Sequence, residues 1–146
     1  MERWEGALGQ LLELTVLLND DMTRRLARDG LTVSRSALLW QLRARGATTQ
    51  RSLADALGVS ARTVTGLVDG LAGSGFVTRE AHPTDRRATL VTFTERGGWV
   101  VEALEKEQAE FTQQLFGHMS DERFAGLVAG LDDVLSTVRA LLEESP

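Results

Sequence analysis

The hydrophobic spacing of this chain changes period in one place only, and that bounds what it can fold into. Up to Leu71 the apolar residues recur every three or four positions, which puts them on one face of a helix. Between residues 76 and 93 the pattern shortens. FVTRE (76–80) and TLVTF (89–93) are brief, β-branched and aromatic, and Pro83 and Asp85 lie between them. Such a segment is a two-stranded hairpin with a polar tip. From Thr94 onward the helical spacing returns. The expected class is therefore mainly α, strictly α+β, with one small hairpin inside a helical chain.

Glycines and short hydroxyl side chains punctuate the helices. The first carries apolar residues at 4, 8, 11, 14, 18, 22 and 26 and stops near Gly30. Ser34 is expected to cap the second, which runs through Leu38, Trp40 and Leu42 to Gly46. Thr49 caps a short third helix ending at Gly58, and Ser60 caps a fourth through Val64, Leu67, Val68 and Leu71, stopped by Gly73 and Gly75. Thr94 opens the fifth helix, which ends near Phe116. After Gly117 and Ser120 comes a last helix with apolar residues from Phe124 to Leu142. The first and last helices hold more apolar surface than a domain of this size needs to cover, so they are expected to pack against a second copy.

Composition narrows the function. With 146 residues the chain is sized for one core. It has no cysteine, which excludes disulfides, thiolate metal sites and thiol redox sensing. Its two histidines, His82 and His118, are far apart and make no metal-binding pattern, so neither metal nor cofactor is expected. No apolar run reaches the roughly 18 residues of a membrane span. The opening MERWEGALGQ is acidic where a signal peptide would be basic, so a cytoplasmic location is expected. No nucleotide loop, nucleophile elbow or zinc motif marks an enzyme; the GSG at 73–75 is a helix stop.

The net charge of −5 is unevenly spread. Residues 31–93 hold eight arginines against four acids, while residues 1–30 and 94–146 are both acidic. Local charge is what a phosphate backbone feels, so the middle segment is the candidate nucleic-acid surface. Residues 49–75 read as a helix-turn-helix and 76–93 as a wing. In that motif the N-terminal residues of the second helix meet base edges in the major groove. Here they are Ser60, Ala61, Arg62, Thr63 and Thr65, which can grip guanine, reach bases or phosphates, and meet a thymine methyl. The wing tip HPTDRR (82–87) holds Arg86 and Arg87, placed to reach a minor groove, with Asp85 positioned to orient Arg87. The rival reading is a winged-helix module for protein contact, which would tend to lose this basic tip.

The stretches TQRSLADALGVSARTVTGLVDGLAGSGFVTRE (49–80) and DRRATLVTFTERG (85–97), with flanking helices in order, resemble the MarR family of transcriptional regulators. The resemblance implies a homodimeric, bacterial, nucleoid-associated repressor of an inverted-repeat operator. Residues 1–30 and 94–146 would form the dimerisation region and 31–93 the lobe that binds double-stranded DNA. It also implies a small, often aromatic or phenolic, effector, for which Trp40 is the candidate lining residue. Asp85 and Arg87 match a characteristic wing pair. The chain departs from the family where members often carry basic residues, at Gly66 and Gly70, and an acidic one near Ala72.

Overall fold

The computed structural model describes residues 2–144. In chain order it contains α1 (Glu2–Arg28), α2 (Val33–Arg45), β1 (Thr48–Thr49), α3 (Gln50–Leu57), α4 (Ala61–Gly73), β2 (Val77–Ala81), β3 (Thr89–Phe93), α5 (Glu95–Phe116) and α6 (Asp121–Glu143). The mainly helical α+β class read from the period change is what the chain adopts. Two compact units divide it, residues 1–103 and 104–146, with α5 running through the division.

The first unit holds the core. Leu38, Leu39 and Leu42 from α2, Leu53 from α3, and Val64, Val68 and Leu71 from α4 are fully buried. Phe76 and Val91 close the same core from the hairpin side. The spacing of 64, 68 and 71 is the i, i+4, i+7 stripe read from the sequence; Leu67, expected inward with them, is only half-buried.

Helix starts follow short hydroxyl side chains, with one correction. Thr49 and Ser60 cap α3 and α4 as expected, accepting from the backbone N–H groups of Ser52 and Thr63 at 3.1 Å each. For α2 the cap is Thr32, not Ser34: the Thr32 hydroxyl accepts from the Arg35 N–H at 3.2 Å. The tertiary fold decides between them. Leu31 is buried and its N–H donates to the Leu26 carbonyl at 2.9 Å, which fixes the chain so that the next residue stands at the helix boundary. Ser34 then falls inside the first turn. The turn between α3 and α4 requires Gly58, whose φ of 66° is left-handed.

The hairpin is antiparallel, with Val77 opposite Phe93 and Ala81 opposite Thr89. A third, two-residue strand was not foreseen. Thr48 and Thr49 of β1 pair with Val91 and Leu90, giving the sheet order β1-β3-β2. Two residues are too few to show an alternating period, so only tertiary pairing reveals them.

In the second unit, Phe116 and Phe124 meet edge to face across the turn between α5 and α6, with ring centroids 5.4 Å apart. Ser120, which also precedes α6 in the cap position, accepts from the Arg123 N–H. No described side chain of α6 is buried. In α1, Trp4, Leu8, Leu12, Leu18 and Met22 are likewise exposed, and only Leu26 is buried.

Candidate nucleic-acid interface

The buried stripe of α4 fixes the direction of its other residues. At about 100° per residue, Arg62, Gly66 and Gly73 point most directly away from Val64, Val68 and Leu71. Thr65 and Asp69 lie on one flank of that outer face and Gly70 on the other. Of the five residues expected to meet DNA, all are exposed. They do not stand equally free. The Ser60 hydroxyl donates to the Thr63 hydroxyl at 3.0 Å and accepts from the Thr63 N–H, so both are tied into the cap. The Thr65 hydroxyl donates to the Ala61 carbonyl at 2.9 Å and accepts from the Gln50 side-chain amide at 3.0 Å. The Thr65 hydroxyl is thus engaged both as donor and as acceptor within the protein. Arg62 remains as the long cationic group of this face.

Gln50 belongs to a network the sequence did not disclose. Its amide oxygen accepts from Arg79 Nε at 2.9 Å, and Arg79 also pairs with Asp69 at 2.6 Å. One guanidinium on β2 thus ties the start of α3 to the outer flank of α4. The fork geometry of Arg suits two acceptors at once. The one available signal was an arginine within a hairpin strand three residues after the core position Phe76. Nothing local says which carboxylate it meets.

The wing tip is organised by two side chains. His82 Nδ1 accepts from the backbone N–H groups of Thr84 (3.2 Å) and Asp85 (3.0 Å). This gives His82, which the sequence places only in the wing-tip segment, a turn-forming role. Asp85 does act on Arg87, but not as an ion pair with its guanidinium: its carboxylate accepts the Arg87 backbone N–H at 2.9 Å. An Asp two residues before an amide closes such a turn locally, which leaves the guanidinium unengaged by it. Arg86 and Arg87 are exposed. Trp40 lies half-buried on α2. Among the described residues no group of three or more His, Asp or Glu side chains is arranged to hold a metal ion, and no helix is long and apolar enough to cross a membrane.

Comparison with known proteins places this geometry. The MarR family model matches residues 31–89, from the residue before the α2 cap to the first residue of β3. An HTH-type transcriptional regulator of Mycobacterium tuberculosis (strain CDC 1551 / Oshkosh) is 30% identical over 147 residues, covering 97% of both chains. The chain belongs to the MarR family. It is therefore a transcriptional regulator of winged-helix build and not an enzyme. The regulator MhqR of Bacillus subtilis (strain 168) is 27% identical over 105 residues, 72% of each chain. In fold, the chain is similar to FabT of Streptococcus pneumoniae, with a TM-score of 0.78 at 17% identity, covering 96% of this chain and 98% of that one.

In this MarR-family chain the T-E-R-G segment at 94–97 has a mechanical role. The Thr94 hydroxyl donates to the Gly75 carbonyl at 2.6 Å and accepts from the Gly97 N–H at 3.0 Å, capping α5 as expected. Arg96 donates to the Ser74 carbonyl at 2.7 Å and lies over the Phe76 ring, 4.9 Å from its centroid. The first turn of α5 is clamped to the turn that ends α4.

Gly66 has a different status. It sits in the interior of α4, and nothing stands within 4 Å of where a Cβ would project. Gly66→Ala should therefore raise stability by about 1 kcal/mol, through helix propensity alone. Urea denaturation checks this; an unchanged or lower midpoint would mean that the site is not open.

Proposed function

We propose that this protein acts as a homodimeric repressor of an inverted-repeat operator, with α4 in the major groove and the 82–88 loop in the adjacent minor groove. The observation that carries this reading is the outer face of α4. Ser60, Ala61, Arg62, Thr63 and Thr65 are exposed around a capped helix start, in the same unit as an exposed wing tip bearing Arg86 and Arg87. Backbone N–H groups at a helix start suit a phosphate oxygen, and Arg62 suits the O6/N7 edge of guanine. FabT, whose fold this chain shares, has been solved in complex with DNA. In the duplex, two recognition helices of a dimer would occupy successive major grooves about 34–36 Å apart. Residues 31–93 would serve as the DNA-binding lobe, and 1–30 with 94–146 as the dimerisation region. A bacterial, cytoplasmic, nucleoid-associated location goes with that role.

Response to a small aromatic or phenolic effector belongs to the same proposal, with Trp40 as a lining residue. Such a ligand acts only through a difference in its affinity for two conformations.

Selection of genomic fragments by the purified protein at moderate salt tests the reading. Recovery of an inverted repeat with half-site centres about one helical turn apart supports it; purely sequence-blind binding refutes it. On the recovered operator, Arg62→Ala should cost about 1–3 kcal/mol and relax preference at one base position. Arg87→Ala should weaken binding and lower the salt slope by about one. Fluorescence anisotropy titrations of both variants measure this, and wild-type behaviour from both would refute the site assignment.

A further inference from the structure

The two flanks of α4 each receive a guanidinium from another element. On the Thr65–Asp69 flank it is Arg79 of β2, already neutralised by Asp69 at 2.6 Å. On the opposite flank it is Arg35 of α2. A Cβ built on Gly70 would fall 2.8 Å from Arg35 Cζ and 2.9 Å from Nε, and would collide with a terminal guanidinium nitrogen. Arg35 therefore lies directly on the helix backbone, in the space that any side chain at position 70 would fill. Gly70 is the residue that admits it. Arg35 is half-buried, and among the described residues its guanidinium makes no ion pair.

A helix with its side chains is about 10–12 Å across and the major groove about 12 Å wide, so a helix in the groove fills it from wall to wall. Those walls are the phosphate backbones, and the flanks of the helix face them. The Asp69 flank offers a wall a paired, neutral group. The Gly70 flank offers it an unpaired cation. We propose that Arg35 is a phosphate-binding residue of the DNA interface, and that Gly70 leaves open the place its guanidinium occupies. This rests on α4 being the helix that enters the groove, and it adds a residue from outside the helix-turn-helix to the contact surface. Because phosphate contacts carry no base information, Arg35 contributes equally on any duplex.

The test uses the full chain and a fluorescein-labelled duplex of mixed sequence, titrated across a series of salt concentrations. Arg35→Gln should bind more weakly and reduce the log–log salt slope by about 0.9, so that its affinity falls about threefold less than wild type between about 50 and 200 mM salt. Arg35→Lys should keep the wild-type slope. Gly70→Ala puts a Cβ where the flexible end of Arg35 lies, so it should shift the guanidinium and weaken binding less than Arg35→Gln does; in the Arg35→Gln background it should change nothing further. Arg35→Met, which removes the charge and keeps an aliphatic stem against α4, carries the test if Arg35→Gln folds poorly. A wild-type slope in both would overturn the proposal. Arg62→Ala and Arg87→Ala, measured alongside on the selected operator, separate the two ways of failing. If they weaken binding while Arg35→Gln and Gly70→Ala do not, Arg35 only packs against α4. If none of the four weakens binding, the groove-binding role of α4 falls, and this inference with it.

Discussion

Leu135→Glu combined with Val138→Glu should leave the proposed homodimer monomeric and lower its affinity for the proposed inverted-repeat operator by about a hundred- to ten-thousand-fold. Both positions are apolar and largely open in one chain, at 48% and 44% exposure. They lie three residues apart on α6, whose described side chains include none that is buried. Asp132, Asp133 and Glu143 show that this helix has polar positions, yet Val128, Val134, Leu141 and Leu142 are exposed as well. An apolar set of this extent left in water is costly, and contiguous patches of this kind mark association surfaces. Two added carboxylates on each copy would have to be desolvated opposite one another if the dimer formed. The large loss on DNA comes from linkage: in a dimer the second half-site is met at high effective concentration, and in a monomer it is not. Light scattering reports the oligomer and gel shift the affinity. A variant that remained dimeric would remove α6 from the interface.

Gly97→Ala should destabilise the protein by about 3 kcal/mol or more, lowering the melting temperature by roughly 6–12 °C. Gly97 is buried in the first turn of α5, and a Cβ there would overlap the backbone carbonyl of Phe76. That carbonyl has no freedom to retreat. It accepts from the Thr94 N–H at 3.1 Å, and the Phe76 ring is among the most deeply buried side chains of the core, 1% exposed. Moving it would disturb the clamp formed by Thr94 and Arg96 as well. The contrast with Gly66→Ala is instructive: the same substitution is expected to stabilise one helix and to break the seating of another. Thermal unfolding followed by circular dichroism separates them. An unchanged melting temperature for Gly97→Ala would mean that α5 does not approach Phe76 so closely.

Much of the architecture was legible because it depends on neighbours in sequence. The buried stripe Val64, Val68 and Leu71 follows from helical geometry, and the caps at Thr49, Ser60 and Thr94 follow from side chains that reach amides three residues ahead. The hairpin followed from its change of period. The exposed positions at the start of α4 and at the wing tip were legible for the same reason, since a residue off the buried stripe or in a polar loop faces outward. At α2 the expected cap, Ser34, gives way to Thr32, because the burial of Leu31 sets the helix boundary.

The features that tune the site were not legible. Asp69, Gln50 and Arg79 are separated by ten to twenty-nine residues and meet only because α3, α4 and β2 share one core. Asp85 reaches the Arg87 backbone rather than its guanidinium, a choice set by the turn that His82 holds. Gly66, Gly70 and Gly97 look alike as letters. One faces open space, one leaves room for an arginine from another helix, and one lies against a backbone carbonyl. By itself the sequence determined where the helices and the hairpin form and which of their faces are apolar, because those depend on spacing along the chain. Only the tertiary structure decided which distant side chains touch, because such contacts exist only once packing has brought separate elements within a few ångströms.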